Sequence, residues 1–254
     1  MDIAMKSHVG NVRQVNEDYF ACTVNVDGRV LAIVADGMGG HQAGEIASRM
    51  AVERIVHELS NLEQDLTPED ERERLMNALL QANLEVYRYA EAHPECSGMG
   101  TTVVAALLRQ SGGVTAHIGD SRLYHFGANG LSQQTEDHSL VQELIKSGQI
   151  TEEEAVVHPQ RNVLMRALGT DKDVRIDLGE FTWEPNDVVL LCSDGLSNKV
   201  SVQEMEKYLQ ESVTLQEKVD AMVQHALNAG GEDNITLIAV CNNAVPGDGR
   251  RKEG

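Results

Sequence analysis

Four aspartates in this chain of 254 residues stand at the edges of apolar, strand-like runs, each beside small or turn-forming residues. Asp36 follows residues 30–35, Asp120 follows 114–119, Asp194 follows 188–193, and Asp233 precedes 235–240. One aspartate beside a turn is an ordinary turn residue. Four such corners converge if the strands lie side by side. Convergent carboxylates repel one another unless a hard divalent cation with oxygen ligands relieves them. The pattern points to a metal enzyme.

The neighbouring residues extend that reading. Asp36-Gly37-Met38-Gly39-Gly40-His41 places three glycines within four positions. Such a stretch lets backbone approach a ligand and exposes carbonyl oxygens, so Asp36 and the Gly37 carbonyl form a candidate cation pair. Asp194-Gly195 repeats the strand-Asp-Gly pattern, whereas Asp120-Ser121-Arg122 and Asp233-Asn234 also fit plain turns. Arg13 lies four and five residues before Glu17 and Asp18. It is either a local ion-pairing residue on a solvated loop or a planar fork for two phosphate oxygens. On the second reading Glu17 and Asp18 help to hold a second cation. His41 is either a surface histidine ahead of a helix or a proton donor to a leaving group. The other eight histidines lack paired-ligand spacing, and among them only His138, at a predicted helix start, stands out.

These side chains need elements to carry them. Residues 19–25 and 29–36 read as strands joined at Asp27-Gly28. Residues 44–59 and 69–92 carry apolar residues at helical spacing, the second bounded by Thr67-Pro68 and His93-Pro94. The period then shortens: 101–109, 114–119, 121–127 and 130–135 read as a meander. Residues 137–148 predict a helix, 149–170 a polar segment of mixed signals, and 174–182 and 187–193 two strands. Helices follow at about 201–211 and 215–229, then a last strand at 234–242. No linker or repeat divides the chain, so residues 1–242 are expected to form a single domain, with 243–254 as a frayed tail. The expected architecture is α+β, antiparallel sheets packed face to face with helices outside.

Composition narrows the function. A net charge of −19 opposes nucleic acid as a partner, because backbone phosphates require a basic face. Any phosphate site must draw its positive charge from metal ions or a placed arginine. The four cysteines are widely spaced, which opposes zinc-ribbon and thioredoxin-type chemistry and fits buried thiols. No apolar run reaches the roughly 18 residues of a membrane span. The expectation is a soluble, cytoplasmic protein with no membrane partner.

Six segments, in order, carry a family resemblance: residues 10–18, 36–41, 97–102, 118–122, 193–196 and 232–236. They read GNVRQVNED, DGMGGH, SGMGTT, IGDSR, SDGL and EDNIT. Together they resemble the bacterial metal-dependent serine/threonine protein phosphatases of the type 2C (PPM) class. The resemblance implies a four-layer α/β/β/α sandwich, two central antiparallel β-sheets flanked by helix pairs, and two or three Mn²⁺ or Mg²⁺ ions. It implies that Asp36 bridges two ions, that Asp194 and Asp233 complete the first site, and that the Gly37 carbonyl serves the second. Glu17 and Asp18 match the acidic pair near that second ion, and Asp120, sharing Asp194, matches a third, more labile one.

The implied reaction is hydrolysis of phosphoserine or phosphothreonine in proteins. A water held between two cations about 3.5–4 Å apart ionises near neutral pH and attacks phosphorus in line. Arg13 steadies the phosphate oxygens and His41 protonates the departing oxygen. The resemblance further implies a mobile flap over about 146–170, a monomer, and a partner kinase of the eukaryotic-like serine/threonine type. Two other functions remain open from sequence: dephosphorylation of an anti-sigma-factor antagonist, and a non-catalytic, cation-dependent scaffold for phosphoproteins.

Overall fold

The structure, a computed structural model, describes residues 1–25, 27–39, 43–60, 62 and 66–243. The chain runs through β1 (Asp2–His8), β2 (Asp18–Val24), β3 (Val30–Met38), α1 (Ala43–Leu59) and α2 (Pro68–Ala92). Next come β4 (Gly100–Thr101), β5 (Val103–Arg109), β6 (Gly112–Ile118), β7 (Arg122–Gly127) and β8 (Gly130–Gln133). Two short helices follow, α3 (Leu140–Lys146) and α4 (Glu152–Val156), then β9 (Asp177–Thr182) and β10 (Val188–Cys192). The chain closes with α5 (Asp194–Ser197), α6 (Val202–Gln210), α7 (Leu215–Asn228) and β11 (Ile235–Cys241).

Two antiparallel sheets form the centre. One has strand order β1-β11-β10-β7-β8; the other runs β2-β3-β5-β6-β9, with β4 paired to the end of β3. Strand alternation divides the side chains between two cores. Val30, Ala32 and Val34 of β3 and Val104, Ala106 and Leu108 of β5 meet Leu123, Val189, Leu191, Ile238 and Val240 between the sheets. Leu31, Ile33 and Ala35 point the other way, against Ala47, Ala51 and Ile55 of α1 and Leu75, Leu79 and Ala82 of α2. On the far side α6 and α7 cover the first sheet through Met205, Leu209, Val219, Met222 and Val223. β3 and β5 therefore read as unbroken apolar runs because both of their faces are covered. This is the four-layer α+β sandwich expected from the resemblance.

Capping fixes the helix starts. Thr67, Thr151, Ser201 and Thr214 each close a capping box with the acidic residue three positions on. Each cap contributes about 0.5–2 kcal/mol.

The structure corrects several expectations. The run from 101 to 135 is two hairpins rather than one meander. β5 and β6 lie in one sheet, β7 and β8 in the other, and Gly119-Asp120-Ser121 carries the chain across. Gly119 takes a φ of +104°, which an ordinary side chain adopts only under strain, and Thr102 occupies the space its Cβ would need. The N-terminal residues form an additional strand, β1, paired along β11. β3 continues through Asp36 to Met38 instead of turning at Asp36, and the predicted helix at 137–148 starts at Leu140, capped by Ser139. Of the predicted tail, residues 244–254 lie outside the described residues. No helix among the described residues is long and apolar enough to cross a membrane.

Candidate metal centre

Antiparallel pairing brings the acidic corners to one end of the sandwich. Asp36 near the end of β3 is the register partner of Asp18 at the start of β2. Asp120 leaves β6, Asp194 opens α5 directly after β10, and Asp233 precedes β11. Burial and the charges of Asp18, Asp194, Asp120 and Asp233, in that order, drive the Asp36 carboxyl well above its usual range. Burial and then Asp194 push Asp120 up to about 7. Asp18 also rises to about 7, mainly through burial, despite hydrogen bonds to Thr236 and Ser193. Asp194 is raised by burial and by Asp233, and its carboxyl lies against that of Asp36. Two acids in such contact require a shared proton or a cation between them.

The backbone around Asp36 is locked from β4 and β5. Its carbonyl accepts from Thr102 N–H at 2.9 Å and from Thr101 Oγ1 at 2.9 Å, and its own N–H donates to Thr102 Oγ1 at 3.0 Å. Ser193 Oγ donates to Asp18 Oδ2 at 2.8 Å and accepts from Thr236 N–H at 3.0 Å, tying the two sheets together beneath the acids. Asn198 Nδ2 donates to Asp194 Oδ2 at 3.0 Å. Asn234 is a hub for the loop before β2: its Oδ1 accepts from Glu17 N–H at 2.7 Å, and its Nδ2 donates to the Val9 and Val15 carbonyls at 2.9 and 3.0 Å.

Glu17 reaches towards the start of α1. Its carbonyl accepts from Gly37 N–H at 3.1 Å and from Ser48 Oγ at 2.6 Å. A Cβ at Gly44 would lie 2.6 Å from Glu17 Oε1, so the absence of a side chain there is what admits the carboxylate. Burial raises the Glu17 carboxyl above its ordinary value.

Two buried oxygens, Glu17 Oε1 and Asp18 Oδ1, have no hydrogen-bond partner among the described residues. Orphaned carboxylate oxygens beside mutually repelling aspartates form an all-oxygen donor set, which fits Mn²⁺ or Mg²⁺ and not a thiolate- or imidazole-seeking metal. Arg13 stands at the rim, about half-exposed, with Nη2 2.8 Å from Asp233 Oδ2. Its ion-pair partner is therefore Asp233 across the molecule, rather than Glu17 or Asp18 beside it in sequence.

Every described residue singled out from sequence for the site (Arg13, Glu17, Asp18, Asp36, Gly37, Asp120, Asp194 and Asp233) lies at this end. His41 lies outside the described residues. The sequence reading assigned no role to Thr101, Thr102, Ser193, Asn198, Asn234 or Gly44. The Gly-Thr-Thr and Asp-Asn pairs were visible in the sequence, but only the fold shows that they brace the acids.

Comparison with known proteins finds relatives over nearly the whole chain. A family model described as "Protein phosphatase 2C" matches residues 6–229. The serine/threonine phosphatase stp of Listeria monocytogenes is 43% identical over 240 residues, 94% of this chain and 95% of that one. The S. agalactiae serine/threonine phosphatase structure superposes with a TM-score of 0.88 at 34% identity, covering 94% of this chain and 98% of that one. The catalytic domain of the serine/threonine protein phosphatase PstP, solved with 2 manganese ions, superposes with a TM-score of 0.82 at 36% identity, covering 94% and 97%.

Proposed function

The chain belongs to the protein phosphatase 2C family and is a serine/threonine phosphatase, and from that premise we propose that the acidic end of the sandwich is its metal centre, where phosphoserine and phosphothreonine in proteins are hydrolysed. The single observation that carries the assignment is the crowding of Asp18, Asp36, Asp120, Asp194 and Asp233 at one end of the sandwich, where burial and then like charge raise the carboxyls of Asp18, Asp36, Asp120 and Asp194. A structural role alone would not favour so many unneutralised acids in one half-buried place.

Asp36, Asp194 and Asp233 would hold one Mn²⁺ or Mg²⁺ ion. Asp36 and the Gly37 carbonyl would hold a second with Glu17 and Asp18 beside it, and Asp120 with Asp194 would hold a more labile third. Bound there, such ions supply Lewis acidity and a water whose pKa is lowered towards neutrality. The chain's own residues do the rest. Asp233 anchors Arg13 through one nitrogen, leaving the other N–H groups of the guanidinium for phosphate oxygens. Ser193, Thr102 and Asn234 keep the acids from splaying apart. His41, five residues after Asp36 in sequence, is the proton donor to the serine or threonine oxygen.

Residues 1–242 act as one monomeric catalytic unit, supported by the apolar core shared by both sheets. The substrates are phosphoproteins, and their phosphates are installed by a eukaryotic-like serine/threonine kinase. The four unpaired cysteines support a reducing setting, the cytoplasm. The test is phosphate release from a phosphothreonine peptide and from p-nitrophenyl phosphate, with and without Mn²⁺. Mn²⁺-dependent turnover is expected. Folded protein inert on both would defeat the assignment and leave the scaffold reading.

A further inference from the structure

Outside the acidic cluster, His117, His138 and Asp177 bring one ligating atom each within 4.8 Å of one another. The hydrogen bonds there oppose a cation. His138 Nδ1 accepts from the Gly119 N–H at 3.1 Å, so it carries no proton. Burial, followed by His117 and Arg166, holds the ring down at about 4, neutral at physiological pH. Its single proton is therefore on Nε2, which donates to Asp177 Oδ2 at 3.2 Å. Arg166 Nη1 takes the other oxygen, Asp177 Oδ1, at 2.8 Å. The group is a directed chain of hydrogen bonds, Gly119 to His138 to Asp177, closed by Arg166.

The His138 backbone doubles both arms. Its N–H donates to the Gly119 carbonyl at 2.9 Å, and its carbonyl accepts from Met165 N–H at 2.8 Å. One buried residue thus grips Gly119 with main chain and ring together. The same residue grips the return of the 146–170 segment through Met165 directly and Arg166 by way of Asp177. Gly119 precedes Asp120 at the point where the chain crosses between sheets. His117 stacks on the His138 ring, with centroids 4.6 Å apart, and its Nε2 is bonded to the Glu136 carbonyl at 2.9 Å, which limits rotation of the pair.

We propose that His138 is a positioning residue that sets Asp120 through Gly119 and couples it to the 146–170 segment through Asp177 and Arg166. The inference rests on the reading of Asp120 as a ligand of the labile ion.

Two near-isosteric substitutions separate the arms. In His138→Asn the amide oxygen stands in for Nδ1 and keeps Gly119, but the donor to Asp177 is lost. In His138→Gln the amide nitrogen stands in for Nε2 and keeps Asp177, but the acceptor for Gly119 is lost. Amide hydrogen exchange and Mn²⁺ titration followed by electron paramagnetic resonance read the result in the full chain.

The Gln variant should exchange about tenfold faster at residues 119–121 and bind its weakest Mn²⁺ about tenfold less tightly. The Asn variant should instead exchange faster at 163–166 and keep that Mn²⁺. In the unaltered protein, filling the weakest site should slow exchange at 163–166, and either substitution should abolish that response.

Identical patterns in the two variants, or an undiminished Mn²⁺ response in both, would overturn the proposal. Asp177→Asn should reproduce the Asn pattern and serves if a His138 variant does not fold; unaltered exchange there also overturns it. Protein that takes up no Mn²⁺ at all defeats the metal reading instead, while exchange at 119–121 and 163–166 still decides whether His138 holds both arms.

Discussion

Asp36 sits half-buried between Asp18, its strand partner, and Asp194, its neighbour across the site. Burial and like charge both penalise its ionised form, and both penalties vanish when a cation arrives. Asp36→Asn removes the charge while keeping the shape and one carbonyl oxygen. Turnover should fall by more than about 100-fold, since a loss confined to a supporting residue already costs about 10–100-fold. The same variant without metal should melt at a higher temperature than the unaltered protein, because one repelling acid is gone. A lower melting temperature in chelator would show that Asp36 is held by contacts other than its charge. Asp120 joins the cluster from the crossing between sheets. Asp120→Asn should remove one weakly bound Mn²⁺ and leave the tighter ions in place, and an unchanged stoichiometry by titration would count against its assignment.

At the scale of elements, α2 does more than cover a sheet. Asn83, fully buried on this helix, accepts from Gly169 N–H at 2.7 Å and donates to the Asp171 and Lys172 carbonyls at 3.0 Å each. It anchors the chain where the 146–170 segment returns, one residue beyond Leu168, whose backbone is bridged to Thr101. Thr101 in turn braces the Asp36 carbonyl. Asn83→Ala strands the buried Gly169 N–H and removes the side-chain partner of the Asp171 and Lys172 carbonyls, which belong to exposed residues. A loss of about 1–3 kcal/mol is expected, read as a lower urea midpoint with an unchanged slope. An unchanged midpoint would mean that the return segment is held by Leu168 and Thr101 alone.

For the molecule as a whole, the acids set how stability depends on pH. The folded-state values of Asp18 and Asp120, about 7, stand above the ordinary 3.8. The folded protein therefore binds protons that the unfolded chain releases, and their contribution to stability falls as pH rises from about 4 through 7. Melting in chelator should drop across that window, and Mn²⁺ should restore most of the loss at the alkaline end. A flat profile in chelator would contradict the shared burial of these groups. The segment over 146–170 works at the same scale. It exposes Val156, Val157, Val163 and Met165 beside Arg161, a surface suited to contact with proteins. Replacing it should alter preference among phosphoproteins more than hydrolysis of p-nitrophenyl phosphate, and equal losses on both would refute a selective role.

The sequence by itself determined the chemistry and most of the elements. Asp-Gly and Asp-Asn pairs beside apolar runs are local signals, and helical spacing at 44–59 and 69–92 survives without knowledge of any neighbour. What it left undecided depends on partners distant along the chain. The run from 101 to 135 could not be split between two sheets from its own period, because alternation looks the same whichever sheet a strand joins. β1 acquires its place only by pairing with β11, more than 200 residues away. Arg13 took Asp233 rather than its sequence neighbours, and His138 gained its role from Gly119, Met165 and Asp177. Local sequence chooses a residue's type and backbone form; tertiary structure chooses what it touches, since burial and hydrogen bonding are settled by chain segments that meet only after folding.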